Sequence, residues 1–207
     1  MLAVVDYGVG NLFSLKSSLR AVHADAVVTG DDATLAHADG IILPGVGAFA
    51  DAAEKLRMSG MADAVLREVA AGKPLMGICL GMQLLFERSL EYGDHAGLGI
   101  LQGTVRPLAG YVPKTYKIPQ IGWNHLSMTE RGKQSPLFRY IKEGSYVYFV
   151  HSFYAADCEA SVLANTEYGA PVTAAVGHEN VYGCQFHPEK SGETGLRILK
   201  AFAEVCV

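Results

Sequence analysis

Paired cysteines are missing from this sequence. Its four, Cys79, Cys158, Cys184 and Cys206, form no Cys-x-x-Cys and have no histidine at metal-ligand spacing, so free thiols are expected, with no zinc or other metal site and no cofactor. Long apolar runs are missing too: none approaches the roughly 20 residues that span a bilayer, and the N-terminus carries no basic leader followed by an apolar segment. A soluble, cytoplasmic chain without membrane contact is expected. Nor is there an excess of charge of one sign, with 17 Lys and Arg against 21 Asp and Glu and no basic clusters, which argues against nucleic acid as a partner. Internal repeats and low-complexity segments are also lacking. What remains is 207 residues, half of them hydrophobic, enough for one large α/β core and short for two. Residues 1–207 are expected to form a single domain.

The chain reads as strands alternating with helices. Leu2 to Val5 is apolar and ends in Asp6-Tyr7-Gly8-Val9-Gly10-Asn11, after which Leu12, Leu15 and Leu19 recur at helical spacing. The third glycine of a dinucleotide fingerprint is replaced by Phe13, so this is a tight strand-to-helix turn and not a phosphate loop. Ala26 to Thr29 and Gly40 to Leu43 are further short strands, and Met61 to Ala70 is a helix. This order points to an open, largely parallel sheet with helices on both faces. Between Gly103 and His178 the pattern becomes strand-rich, with runs at 121–128, 145–154 and 172–176, and additional antiparallel strands are expected there. Val181 to Phe186 is the last strand, and 195–205 the closing helix, with Leu196, Leu199 and Phe202 on one face.

The chemistry centres on Gly77-Ile78-Cys79-Leu80-Gly81. Pro74 to Ile78 is a short apolar run, and Leu80, Leu84 and Leu85 repeat at helical spacing, so Cys79 falls where a strand turns into a helix. Glycines two residues to either side suit a sharp nucleophile elbow, with Cys in place of Ser. A helix N-terminus there would favour the thiolate and aim N–H groups at a developing oxyanion. A buried, inert cysteine is the alternative.

The last strand runs into His187-Pro188-Glu189-Lys190-Ser191. Pro188 keeps the segment from being helical, and a turning chain brings the imidazole and carboxylate to one site. Glu189 then orients His187, and His187 takes and returns the Cys79 proton. Most other histidines read as surface or structural. Pro44-Gly45-Val46-Gly47-Ala48-Phe49, beyond the end of a strand, is a loop whose backbone could meet a substrate oxygen, or an ordinary turn.

Taken together, these residues resemble the class I, triad-type glutamine amidotransferases, whose two most specific motifs are the elbow and the Phe186-His187-Pro188-Glu189 end. Asp6 through Leu12, Pro44 through Phe49, Pro119 through Asn124 and Phe186 through Ser191 are similar, in matching order, to the glutaminase subunits of imidazole glycerol phosphate synthases. That resemblance implies a flavodoxin-like fold and a Cys79, His187, Glu189 triad that hydrolyses L-glutamine to glutamate and ammonia. It implies an oxyanion hole from the N–H groups of Leu80 and of Gly45, Val46 and Gly47. Gln83 and Glu91 match positions that hold the amino-acid end of glutamine, and Ser152 and Phe153 match a segment that contacts it through backbone groups. The nitrogen acceptor implied is a separate (β/α)8-barrel cyclase subunit in a heterodimer for histidine biosynthesis. Trp123 is either an aromatic of that interface or a core residue. A catalytically silent subunit on the same fold would not need all three triad residues.

Overall fold

The computed structural model describes residues 1–206. Its first part runs β1 (Leu2–Val5), α1 (Leu12–Ala21), β2 (Ala26–Thr29), α2 (Asp32–His37), β3 (Gly40–Leu43), α3 (Phe49–Met58), α4 (Met61–Ala70), β4 (Leu75–Ile78) and a single turn, α5 (Leu80–Gln83). Next come β5 (Phe86–Ser89), β6 (His95–Ala96), β7 (Leu101–Pro107), β8 (Gln120–His125), β9 (Ser127–Met128) and α6 (Glu130–Gln134). These are followed by β10 (Tyr146–His151), β11 (Phe153–Ala156), β12 (Val162–Glu167) and β13 (Pro171–His178). The chain closes with β14 (Val181–Cys184), a 3-10 turn at Pro188–Lys190 and α7 (Gly192–Val205).

The main sheet has the order β2-β1-β3-β4-β14-β13-β12-β9. The first five strands are parallel and the last three continue it antiparallel. Because successive side chains alternate, the fully apolar parallel strands feed two cores. Ala3, Val5, Ile41, Leu43 and Leu75 face Leu35, Leu56 and Val65 of α2, α3 and α4. Leu2, Val4, Ile42, Met76 and Ile78 face Leu15, Leu19, Ile198, Leu199 and Phe202 of α1 and α7. All five parallel strands point their carboxyl ends to one edge, and β1, β3, β4 and β14 deliver there Asp6–Asn11, Pro44–Phe49, Cys79 and Gln185–Glu189.

Two expectations are corrected. The helix after Cys79 is one turn, because Phe86 enters β5 and pairs in parallel with Leu101 of β7. Leu84, Leu85 and Phe86 are all buried, and an apolar run buried on every side carries no period that tells helix from strand. Residues 188–190 do form helix, a 3-10 turn with Pro188 at its first position, where the missing N–H costs nothing. The additional antiparallel strands expected between 103 and 178 are present as the pairs β7–β11, β8–β10, β9–β12 and β12–β13, while β5, before that stretch, pairs in parallel with β7 in a separate sheet ordered β11-β7-β5-β6. Four of these elements had no expectation attached: α3, which starts inside the Pro44–Phe49 loop, β6, α6 and β12.

Candidate active site

Cys79 adopts φ 54° and ψ −112°, a region that non-glycine residues rarely occupy and that is held only where the surroundings impose it. Its N–H donates to the Cys184 carbonyl of β14 at 2.7 Å, and its own carbonyl accepts from Gln83 N at 3.1 Å. Both flanking glycines are sterically required. A Cβ on Gly81 would lie 1.8 Å from the Leu43 carbonyl oxygen, and one on Gly77 would lie 2.6 Å from Met82 Cα. The elbow therefore presses against β3 on one side and its own first turn on the other. With α5 a single turn, little macrodipole builds up, and the favourable field at the sulfur is that of the local N–H groups.

His187 follows β14 and sits beside Cys79. Its Nδ1 lies 2.7 Å from Glu189 Oε1, while His187 Nε2 and Glu189 Oε2 are buried without hydrogen-bond partners. Burial alone pushes the imidazole pKa down, but the Cys79 sulfur and the Glu189 carboxylate together raise it to about 9. No hydrogen bond closes between Sγ and Nε2. The sulfur accepts from Gln185 Nε2 at 3.7 Å and donates to the Val150 carbonyl at 3.9 Å.

Cys79 and His187 open onto a cavity of about 460 Å³, within the range of small-molecule sites. Val46, Gly47, Leu80, Gln83, Glu91, Ser152 and Phe153 line the same cavity. Gly45 and Glu189 do not. They stand behind its wall around a much smaller void shared with Asn11 and Pro44, and a Cβ on Gly45 would meet Gly81 N at 2.7 Å. The Val46 loop thus rides directly on the elbow, tethered by the buried Tyr7 hydroxyl, which donates to the Pro44 carbonyl at 2.7 Å. On the cavity wall Glu91 Oε2 accepts from Phe49 N at 2.7 Å, filling the role of the side-chain cap that Ala48 cannot supply to α3.

Several residues enter the site that the sequence reading passed over. His151 is buried, with Nδ1 2.8 Å from the Phe153 carbonyl and Nε2 against the Gln120 amide at 3.0 Å. Burial lowers its pKa to about 4, opposed by the Phe153 bond and aided by His187, so it is a neutral wall of the site. Gln185, wholly buried, bridges Gln83 and Cys79; its position two residues before His187 on an extended chain is the signal that could have found it. Tyr92 at φ 51° borders the cavity and packs edge-on against Phe153. Trp123 is 55% exposed, which removes the core alternative; it packs on Tyr148 and over Gly192 at the start of α7.

A nucleophile with a paired base, a glycine loop beside it and polar side chains lining the same cavity can carry out acyl transfer on a small amide. Comparison with known proteins agrees with that chemistry. The family profile "Glutamine amidotransferase class-I" matches residues 3–205. The protein named imidazole glycerol phosphate synthase subunit HisH of Wolinella succinogenes is 50% identical over 207 residues, covering 99% of this chain and 100% of the relative. The protein of the same name from Caldanaerobacter subterraneus is 48% identical over 206 residues, covering 99% and 98%. Among solved structures, one described as a glutamine amidotransferase superposes with a TM-score of 0.76 at 20% identity, covering 99% of this chain and 98% of the other. The PurLQS structure from Thermotoga maritima gives 0.69 at 21% identity, covering 99% and 97%. These two show the fold. With the profile spanning nearly the whole chain and full-length relatives near half identity, the chain belongs to the class-I glutamine amidotransferase family.

Proposed function

We propose that this chain is the glutaminase subunit of an imidazole glycerol phosphate synthase, a single cytoplasmic amidotransferase domain that hydrolyses L-glutamine and hands ammonia to a cyclase subunit. The observation that carries the reading is the strained Cys79 elbow opening, beside the buried His187–Glu189 pair, onto the cavity that Gln83 and Glu91 also line.

In this reading the Cys79 thiolate attacks the side-chain amide carbon of glutamine, and the oxyanion is met by N–H groups of Leu80 and of the Val46 loop. The C–N bond breaks as His187 gives its proton to the departing ammonia. Water then attacks the thioester, His187 takes a proton from it, and the C–S bond breaks to release glutamate and restore Cys79. Glu189 holds the His187 tautomer and its positive charge. The amino-acid end of the substrate lies toward Gln83 and Glu91. The carbonyls of Ser152 and Phe153 are already taken by Leu108 N, and by Gln83 and His151 respectively, so what that segment has to offer a substrate carboxylate is N–H groups.

The acceptor is a separate (β/α)8-barrel cyclase in a heterodimer, and its docking face surrounds the mouth of the site. What supports that placement is a set of exposed apolar side chains there: Val46 on the loop, Ile121 and Trp123 on β8, and Phe13, 84% exposed, in the first turn of α1. The test is isotopic. With amide-¹⁵N glutamine and excess unlabelled ammonium, the complex should place the glutamine label in the imidazole product without dilution. Full exchange with the ammonium would refute transfer between the two subunits.

A further inference from the structure

We propose that Gln185 is a positioning residue with two tasks: it donates one amide hydrogen to the Cys79 sulfur, and it fixes the orientation of the Gln83 amide so that an acceptor oxygen faces the substrate's α-ammonium group. The inference rests on the glutaminase reading above and deepens it.

The argument follows from which groups can donate. The one hydrogen of the Cys79 thiol goes to the Val150 carbonyl at 3.9 Å, so toward any further partner the sulfur can only accept, and the Gln185 amide turns its NH₂ toward it, at 3.7 Å. Its Oε1 then faces Gln83 and accepts from Gln83 Nε2 at 2.9 Å, in a wholly buried contact. The second Nε2 hydrogen of Gln83 goes to the Phe153 carbonyl at 3.1 Å. Both hydrogens being committed, Gln83 Oε1 is the end left for the cavity. Reversing either amide places oxygen against the Cys79 sulfur or oxygen against the Phe153 carbonyl, and mismatches of that kind in a buried network are costly. The chain of bonds thus runs from the nucleophile to Gln83 and sets its polarity: an acceptor at Gln83, on the cavity that the Glu91 carboxylate also lines, suits a cationic amino group. The Phe153 carbonyl also takes His151 Nδ1 at 2.8 Å, which fills its two lone pairs and resists reversal further.

Two variants of the full chain separate the tasks, read by the pH profile of Cys79 alkylation with iodoacetamide and by KM and kcat for glutamine in the cyclase complex. Gln185→Leu removes both functions: alkylation at neutral pH should slow several-fold, its profile should shift to higher pH, and KM should rise about tenfold, the size of one charge-assisted hydrogen bond. Gln185→Glu keeps the acceptor toward Gln83 but takes the donor off the sulfur. It should slow alkylation while holding KM within about threefold of wild type. A residue that only fills space would leave the alkylation profile and KM of both variants unchanged, and that result overturns the proposal. Should Gln185→Leu fail to fold, Gln83→Glu gives the same information. Stripped of its donor, Gln185 Oε1 has no reason to stay, so alkylation should slow, and an unaltered profile overturns the idea. Alkylation needs no glutamine, so a wild-type complex that releases no glutamate would refute the glutaminase reading and leave this test readable.

Discussion

Nδ1 of His187 lies 2.7 Å from Oε1 of Glu189, with both side chains almost wholly shielded from water. The Cys79 sulfur and this carboxylate together hold a proton on a buried imidazole up to about pH 9, against the pull of burial. Below the ordinary histidine range the charge is present in folded and unfolded chains alike, and its stabilising contact is complete. As pH rises through about 9 the proton leaves and the contact is lost.

The glutaminase rate should therefore fall on the alkaline side as pH passes about 9, when the donor for the leaving ammonia disappears. Glu189→Gln should move that limb to lower pH. It should cost about a hundredfold less in kcat than loss of the nucleophile, as the orienting acid of subtilisin does. A kcat–pH profile of both proteins checks this.

Tyr7→Phe should loosen the Val46 loop without touching the triad. It deletes the bond to the Pro44 carbonyl, and leaving that buried acceptor unpaired costs about 1–3 kcal/mol. Thermal unfolding should show a lower Tm, and kcat should fall several-fold with KM little changed, because the loop is assigned to the oxyanion and not to ground-state binding.

Gly81→Ala should abolish the fold of the elbow. The added Cβ meets the backbone carbonyl of Leu43 at 1.8 Å, and β3 is an interior strand paired on both sides, with β1 and β4, so neither can yield. A loss of more than about 4 kcal/mol is expected, visible as insoluble protein or a collapsed denaturation midpoint.

His151 gives the opposite pH dependence to His187. It is buried neutral with its pKa lowered to about 4, so the unfolded chain takes up a proton that the folded one refuses. Stability should be complete above about pH 6.5 and drain away by up to about 3 kcal/mol as pH falls toward 4. His151→Gln should flatten that slope in urea titrations at pH 7 and pH 4.5.

How much of this was legible in the sequence depended on locality. The elbow was readable because Gly77, Cys79 and Gly81 are close in the chain and each has one steric reason to be there. His187 and Glu189 were readable for the same cause. The parallel strands β1 to β4 were readable because their apolar runs end at glycine turns. Gln185 escaped notice because its partners, Gln83 and Cys79, are more than a hundred residues away and only the β4–β14 pairing brings them together. Leu84 and Leu85 read as helix because the strand that follows them, β5, is held by β7, which lies further along the chain. His151 was visible as a residue, but its neutrality follows from burial that no local pattern records.

The most direct test of the account is glutamate release from L-glutamine by the wild-type chain and by Cys79→Ala, each alone and with the cyclase subunit. The wild type should turn over glutamine, faster with the cyclase, and Cys79→Ala should be inactive in both settings while still binding the cyclase. His187→Asn should behave alike, and the double variant should be no worse than either single one, because nucleophile and base act as a unit. Ordinary glutamine turnover by a cyclase-bound Cys79→Ala chain would contradict the account.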